Sequence, residues 1–164
     1  MKIAIIMGSD SDWPLLEVAE ETLLSFGIQT EVVVASAHRT PGIVYEFAKN
    51  AKERGIKAII AAAGAAAHLP GVVAAYTTLP VIGVPINATP LGGMDALLSI
   101  VQMPAGIPVG CMAINGAKNA AIFAVEILAT ADDELANKLF EYRQKMEKEV
   151  SAKAEKLHEL RLKK

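Results

Sequence analysis

Cysteine is almost absent from this chain, which has only Cys111 among its 164 residues. A single thiol excludes an intramolecular disulfide and a cysteine-based metal cluster. The residues around it are apolar, so a buried thiol is favoured over a catalytic nucleophile. The three histidines, His38, His68 and His158, do not have the spacing of metal ligands, and the sequence contains neither HExxH nor GxSxG. We therefore expect no metal site and no serine nucleophile.

Basic residues are scarce over most of the chain. The net charge is −2, without the basic surplus that is typical of nucleic-acid-binding proteins. Nine of the sixteen lysines and arginines fall in residues 131–164, so residues 1–130 hold only seven. Of these seven, Arg39 is the one that lies in a turn between a predicted strand and a predicted helix. An anionic ligand would therefore have few cations to choose from.

A long hydrophobic run is also missing. The apolar stretch Ala58–Tyr76 is interrupted by glycines, a histidine and a proline, and falls short of the ~20 uninterrupted apolar residues of a membrane span. The chain passes directly into a predicted strand after Met1, without the pattern of a signal peptide. We expect a cytoplasmic protein that binds neither membrane nor nucleic acid.

Short apolar runs alternate with helical patterns through residues 1–130. The predicted strands are Lys2–Met7, Gln29–Ala35, Lys57–Ala62, Val81–Pro85 and a fifth around Val109–Ala113. The predicted helices are Trp13–Ser25, Pro41–Arg54, a short helix that ends near Ala75, Met94–Gln102 and Asn119–Ala129. This alternation predicts an α/β fold: one domain, 1–164, with a three-layer, doubly wound, flavodoxin-like parallel sheet in residues 1–130.

Residues 131–164 predict one long amphipathic helix. Thr130–Asp133 resembles a capping box. Apolar or small residues then recur in steps of three and four, at Leu135, Leu139, Tyr142, Met146, Val150, Ala154, Leu157 and Leu160. Such a helix is too long to lie wholly against one small sheet, so we expect this stripe to pack on a neighbouring subunit. The alternative is a frayed, solvated end, which we expect for residues 161–164 in either case.

The segment Ser36–Pro41, Ser-Ala-His-Arg-Thr-Pro, is the best candidate for a reaction centre. Thr40 suits an N-cap and Pro41 the first helical turn. His38 and Arg39 should then lie at the carboxyl edge of the sheet, where open α/β folds bind ligands. Histidine moves protons near neutral pH and arginine forks onto phosphate or carboxylate. A lone histidine in a turn is often only structural, but the position favours function.

Two further turns should meet at the same edge. The loop Gly8–Asp12 suits a phosphate through its glycine and its serines, and Asp12 could accept hydrogen bonds from ribose hydroxyls. Plain helix capping by Ser11 or Asp12 is the alternative, and the glycines of a Rossmann fingerprint are missing. The turn Ala63–Pro70 has small side chains that would let a planar ligand approach the backbone. For His68 alone, a packed core position is favoured over a functional one.

Two other features limit the interpretation. The long loop Ile86–Gly93 ends in paired glycines, and the segment Pro90–Asp95 that contains them is typical of a mobile lid. A two-component receiver domain would have the same fold without being an enzyme, but it needs a phosphoacceptor aspartate at the end of the third strand. This chain has Ala61-Ala62-Ala63 there, which excludes that class.

Four segments in this order resemble the class I PurE family, the N5-carboxyaminoimidazole ribonucleotide mutases of bacterial purine synthesis. They are Met7–Trp13, Ser36–Pro41, Ala66–Gly71 and Ser99–Pro104, and the resemblance runs from residue 2 to about residue 150. The animal-type relatives carboxylate aminoimidazole ribonucleotide directly with CO2, usually with lysine after the histidine of the second motif. Arg39 and the segment His68–Gly71 therefore resemble the mutase.

The resemblance implies a role for each motif. His38 would be the general acid and base, and the reaction would need no metal, ATP or redox cofactor. The 5′-phosphate of the ribonucleotide would be held by Ser9, Ser11, Ser36 and Arg39, and the ribose hydroxyls by Asp12. The imidazole and the migrating carboxyl group would be enclosed by Gly64, Ala65, Ala66, His68 and Leu69. The family also implies a homo-octamer.

The chain departs from the family pattern at a few positions. Ala62 and Ala65 replace usual glycines in the third turn, Gly92 replaces a frequent serine in the lid, and Ala105 replaces a frequent arginine. If Ala65 takes a positive φ, it bears a steric cost that glycine would not. Two alternative functions remain open at this point: direct carboxylation of aminoimidazole ribonucleotide, and nucleotide binding without catalysis.

Overall fold

Five parallel strands form a single sheet in the computed structural model, which describes residues 1–162. The strands are β1 (Lys2–Met7), β2 (Gln29–Val34), β3 (Ile56–Gly64), β4 (Val81–Ile86) and β5 (Gly110–Cys111), in the spatial order β2-β1-β3-β4-β5. Every neighbouring pair is parallel. The predicted doubly wound parallel sheet is therefore confirmed.

The helices connect these strands. They are α1 (Trp13–Ser25), α2 (Pro41–Lys49), α3 (Leu69–Tyr76), α4 (Met94–Val101), α5 (Ala117–Ala129) and α6 (Asp133–Leu162). Right-handed crossovers place α1 on one face and α2, α3 and α4 on the other, because the strand order reverses at β1. The second face is one continuous core, to which α2 contributes Val44 and Phe47, α3 contributes Val73, and α4 contributes Ile100.

Burial explains the composition of the strands. All residues of β4, and all of β1 except Lys2, are buried, as expected of parallel strands covered on both faces. The edge strand β2 is half-exposed. The strand predicted at Val109–Ala113 is only two residues long, since just Gly110 and Cys111 pair with β4. Pro108 lacks an N–H for an earlier ladder bond, and the chain turns away toward Asn115, whose N–H donates to Pro85.

The helix predicted at Pro41–Arg54 ends earlier, at Lys49. Asn50 has left helical geometry, with φ −94° and ψ 3°, and residues 51–55 form turns that close on Gly55 at φ +81°. The Arg54 side chain folds back, donating to the Phe47 carbonyl at 3.1 Å and to Glu31 at 3.0 Å. The Arg54 guanidinium thus satisfies a carbonyl at the end of the helix, while its ion pair with Glu31 holds it in place.

The chain divides into two units, Met1–Ala124 and a second that starts at Val125. Most of the second unit is α6, a 30-residue helix of roughly eight turns. Asp132 caps it by accepting the N–H of Leu135 at 2.9 Å, whereas the Thr130 hydroxyl donates back to Ile127. The predicted capping box at Thr130 is therefore wrong by two residues.

The apolar stripe of α6 is mostly exposed. Leu135 and Leu139 are buried, and Lys138 pairs with Glu134 at 2.8 Å. The large apolar residues of the stripe that are exposed are Met146, Val150, Leu157 and Leu160, and Phe140 and Leu162 of the same helix are exposed beside them. Packing of this stripe on another subunit stays a prediction, as does the assignment of 1–164 to one domain. The predicted helix and its frayed end also included residues 163 and 164, which lie outside the described residues. Within residues 1–162, no helix combines the length and hydropathy needed to cross a membrane.

Replacing Gly83 with alanine should destabilise the protein by about 1–3 kcal/mol, the usual cost of overpacking a core. The added Cβ would lie 2.5 Å from Cγ2 of Ile100 and 3.0 Å from Cγ1 of Val109. Urea unfolding followed by circular dichroism measures the effect. Gly42→Ala is the matched control, because no described atom lies within 4 Å of a Cβ there and helix propensity should improve. Equal midpoints for the two variants would contradict this packing.

Candidate active site

The carboxyl ends of β1, β2 and β3 open into one cavity of about 340 Å³. The loop after β1 lines it with Gly8, Ser9, Ser11 and Asp12, and the turn after β2 with Ser36, Ala37, His38 and Arg39. The remaining wall is Ala63, Gly64, Ala65, Ala66, Leu69 and Ala88. Ten of the eleven residues that the sequence proposed line this cavity, and the eleventh, His68, contacts it through His38.

Serine hydroxyls organise the first loop. Ser9 caps a short 3₁₀ turn, Asp10–Asp12, by accepting the N–H of Ser11 at 3.3 Å, and the Ser11 hydroxyl donates to Ser9 at 2.9 Å. Asp12 occupies the N-cap position of α1 without a side-chain capping bond, so the capping interpretation of Asp12 is wrong. Its carboxylate instead lines the cavity. Burial raises the pKa of Asp12, with Asp10 adding to the rise and the Ser11 hydroxyl opposing it.

The Ser36–Pro41 turn is closed by its own side chains. The Thr40 hydroxyl accepts the Ser36 N–H at 2.9 Å and donates to the Ser36 carbonyl at 3.2 Å, while the Arg39 N–H donates to Ser36 Oγ at 3.2 Å. Thr40 occupies the N-cap position of α2 and Pro41 begins the helix, as predicted, but the Thr40 side chain makes no capping bond. The closed turn projects His38 and Arg39 outward as exposed side chains.

Arg39 joins the first two loops. Its Nη2 donates to the carbonyl of Gly8 at 2.8 Å, across 31 positions of sequence. A guanidinium has five N–H donors in a planar fork, so this anchor leaves donors for an anion. The cavity therefore combines a positioned cation with the hydroxyls of Ser9, Ser11 and Ser36.

His38 and His68 form a hydrogen bond. The Nε2 of His38 lies 2.8 Å from the Nδ1 of His68, with ring centroids 4.9 Å apart and planes at 84°. His68 is exposed, so its interpretation as a packed core residue is wrong. An imidazole that pairs with another neutral imidazole must donate from one ring and accept on the other.

The third turn contains a left-handed residue and a tightly packed glycine. Ala65 has φ +52°, the left-handed conformation in which glycine is normally found. Gly64 packs so closely that a Cβ there would lie 2.7 Å from Cβ of Ala88 and 3.3 Å from the Ile86 carbonyl oxygen. Ala65 is thus strained, while Gly64 could not be replaced without displacing the loop after β4.

Sequence reasoning missed four residues of the cavity wall. Gly8 and Ala37 lie inside motifs that were singled out, and Ala63 begins the third turn. Ala88 lies in the long loop after β4, and no local signal marks it. The parallel pairing of β3 with β4 places Ile86 beside Gly64, and the loop that follows Ile86 then brings Ala88 to the cavity.

The lid interpretation of the loop after β4 stays a prediction. Leu91 is 67% exposed, and Gly92 and Gly93 have φ values of +65° and +84°. A Cβ at Gly93 would lie 2.7 Å from Cγ2 of Ile114, so this glycine is fixed by packing as well as by its φ. The Thr89 hydroxyl donates to Asp95 at 2.9 Å, which ties the loop to the start of α4.

The described residues contain neither a cluster of metal-ligating side chains nor an activated thiol. In residues 1–162, no three histidine, cysteine, aspartate or glutamate side chains are grouped so that they could hold a metal ion. Cys111 is partly buried and donates to the Met112 carbonyl at 3.4 Å. Burial raises the pKa of its thiol, which disfavours the reactive thiolate.

Comparison with known proteins places these features in a family. A family model described as AIR carboxylase matches residues 2–149. The N5-carboxyaminoimidazole ribonucleotide mutase of Thermotoga maritima is 55% identical over 97% of this chain and 93% of its own length. The mutase of Pyrococcus horikoshii is 54% identical over 96% of this chain and 89% of its own. The crystal structure of Treponema denticola PurE superposes with a TM-score of 0.85 at 29% identity, covering 95% of this chain and 98% of that one.

Replacing Ala65 with glycine should stabilise the protein by about 0.5–1 kcal/mol. Glycine removes about 1–2 kcal/mol of left-handed strain and gives back about 0.4–1 kcal/mol through the greater entropy of the unfolded chain. Ala66→Gly is the matched control, an equally exposed neighbour whose φ is not positive, and it should destabilise. Thermal unfolding of both variants tests the strain; a loss of stability in Ala65→Gly would contradict it.

Proposed function

Because the chain belongs to the AIR carboxylase family, which it matches over residues 2–149, we propose that it is an N5-carboxyaminoimidazole ribonucleotide mutase. The reaction moves a carboxyl group from the exocyclic nitrogen of the imidazole to ring carbon C4, giving 4-carboxy-5-aminoimidazole ribonucleotide in IMP biosynthesis. The observation that carries the proposal is the cavity in which His38, Arg39 and three serines meet. The relatives from Thermotoga and Pyrococcus, which are 55% and 54% identical to this chain, are named for this activity.

The phosphate end of the substrate would lie against the first two loops. Arg39 is held in place by the Gly8 carbonyl, and the hydroxyls of Ser9, Ser11 and Ser36 face the same cavity. Charge-assisted bonds from a guanidinium and hydroxyl donors are what a phosphate dianion requires. Asp12 would accept from the ribose hydroxyls.

His38 would give one proton to the substrate and take another back. Protonation of the carbamate nitrogen by imidazolium lets the C–N bond break, with its electron pair left on nitrogen and CO2 released. Carbon C4 then attacks that CO2, and the neutral His38 takes the C4 proton, whose bonding pair restores the aromatic ring. His38 ends in the protonation state in which it began, so atoms and charge balance without a cofactor. Acid–base catalysis of this kind typically contributes about 10²–10⁴-fold.

The wall of the cavity suits retention of CO2. Ala63, Ala66, Leu69 and Ala88 present apolar side chains on the side formed by the third turn and the loop after β4. A small apolar molecule released here meets no charged group on that wall, and a closed site prevents its escape to solvent. The loop Ile86–Gly93 is the segment that would complete such closure.

The mutase is favoured over the two alternatives by particular residues. The directly carboxylating relatives usually have a lysine at the position of Arg39 and lack the segment that corresponds to His68–Gly71, whereas this chain has both the arginine and the segment. Ala65 adopts a φ of +52°, a conformation that the usual glycine would adopt without strain. The replacement of glycine by alanine is therefore not by itself a reason to favour nucleotide binding without catalysis.

Assembly and location follow as further proposals. The exposed apolar stripe of α6 favours a homo-oligomer, with an octamer expected from the family resemblance. The ribonucleotide substrate of the proposed reaction favours the cytoplasm. The partner of the chain would then be its own copies, with neither nucleic acid nor membrane involved.

His38→Asn should lose at least 100-fold in turnover of N5-carboxyaminoimidazole ribonucleotide while still binding it, because asparagine cannot shuttle the proton. Ultraviolet absorbance of the aminoimidazole products measures the rate, and His158→Asn in α6 is the histidine control. Aminoimidazole ribonucleotide plus bicarbonate is assayed beside the carbamate. Turnover from bicarbonate alone would make the protein a carboxylase, and binding without turnover of either substrate would make it a binding module.

Val150→Asp should weaken assembly of the protein, because Val150 is 66% exposed within the apolar stripe and a charge there would have to be buried. Light scattering across a concentration series should show a smaller species than the wild type. Ser151→Asp adds the same charge to an exposed neighbour outside the stripe and should assemble normally. If Val150→Asp and a chain truncated after Ala131 both kept the number of subunits of the wild type, packing through α6 would be contradicted.

A further inference from the structure

The contact between His38 and His68 gives the proposed proton carrier a second ionisable partner. Their nitrogens are 2.8 Å apart, within the range of an N–H hydrogen bond, although the residues are 30 positions apart in different loops. We propose that the two histidines form a proton-sharing pair in the substrate-free protein, with His68 acting as the positioning residue of His38. This inference rests on the proposed function and specifies where its proton is held between turnovers.

Hydrogen-bond chemistry limits the protonation states of the pair. Only one proton can lie between two nitrogens at this separation, so the contact survives in the neutral pair and in the singly protonated pair. The second proton would place two N–H groups against each other and break it. The singly protonated pair is the stronger one, because its hydrogen bond is charge-assisted. Protonation of one ring therefore changes the hydrogen bond that the other ring can make.

The charged surroundings favour one excess proton over two. Arg39 adjoins His38 in the chain and lines the same cavity, where its fixed positive charge disfavours a second cation. Asp12 also lines the cavity, and burial raises its own pKa. A phosphate dianion bound at Arg39 would alter this balance, so the pair is defined here for the substrate-free state.

The pair also determines which nitrogen of His38 bears the transferable proton. With Nδ1 of His68 as the acceptor, the donor is Nε2–H of His38, and His68 keeps its own proton on Nε2. Substrate entry would then exchange one acceptor for another: Nε2–H turns from His68 to the carbamate nitrogen, and the emptied Nε2 later receives the C4 proton. When product leaves, Nε2–H returns to His68.

A purely structural role for His68 is disfavoured by its surroundings. Among the described residues its ring makes no capping bond to α3, although it occupies the N-cap position. The buried positions at the start of that helix are taken by Leu69 and Pro70, while His68 itself is exposed. The ring is therefore not needed to begin the helix or to fill the core.

Imidazole titration by ¹⁵N-resolved NMR of the substrate-free protein tests the pair without requiring activity. In the wild type, His38 and His68 should each show both of two shared titration steps, while His158 shows a single step as internal reference. In His68→Asn, His38 should return to one step, and in His38→Asn so should His68. Single independent steps in the wild type, unchanged by either replacement, would overturn the proposal. Coupled steps in a protein without turnover would support the pair and refute the proposed function instead.

Turnover then separates positioning from packing. His68→Asn keeps a hydrogen-bonding amide where Nδ1 lies, whereas His68→Leu fills similar space without one. Because the contact exists in the substrate-free protein, its loss should appear in the pH profile of kcat/KM, which reports the free enzyme, rather than in kcat. We expect both variants to show the kcat/KM profile of a single titrating histidine, with His68→Asn closer than His68→Leu to the wild-type kcat/KM at its optimum. A kcat/KM profile unchanged from the wild type in both variants would overturn the positioning role.

Discussion

Parallel pairing of β1 with both β2 and β3 is the constraint on which the site depends. It places the carboxyl ends of three strands side by side, and each strand is followed there by one of the motif-bearing turns. Because the strand order reverses at β1, the connections leave toward opposite faces and the cavity opens between them. No single turn holds a substrate; the cavity exists because backbone hydrogen bonds fix the relative positions of all three.

Short tertiary contacts then fix the side chains within that frame. Arg39 reaches Gly8 across the first two strands, the Thr40 hydroxyl closes its own turn on Ser36, and Gly64 admits Ala88 at a distance that any Cβ would prevent. Ala65 bears backbone strain in the same wall. The proposed release and recapture of CO2 would gain from side chains held in place in this way.

The proposed reaction requires few functional groups from the protein. One proton leaves a histidine and another returns to it, so the protein has to supply a proton carrier, an anion anchor and an apolar wall. In the proposed mechanism the first two would come from neighbours in sequence, His38 and Arg39, and the third from alanines and Leu69, all of which line the cavity. His68, which contacts His38, would add a partner for the proton. A chain with few basic residues in its first 130 positions could then still bind an anion, because the Gly8 carbonyl holds Arg39 at the cavity.

The sequence by itself determined whatever depends on neighbouring residues. Apolar runs fixed β1 and β4, the helical pattern and Gly27 bounded α1, Pro41 began α2, and the motifs named ten residues of the cavity. Tertiary structure alone decided the rest. It shortened α2 through the contact of Arg54 with Phe47, and turned the Thr40 hydroxyl from capping to closure. It also placed His68 on His38 and Ala88 on Gly64. Periodicity and propensity report only on residues a few positions apart, whereas these contacts join residues whose proximity is set by the register of the sheet.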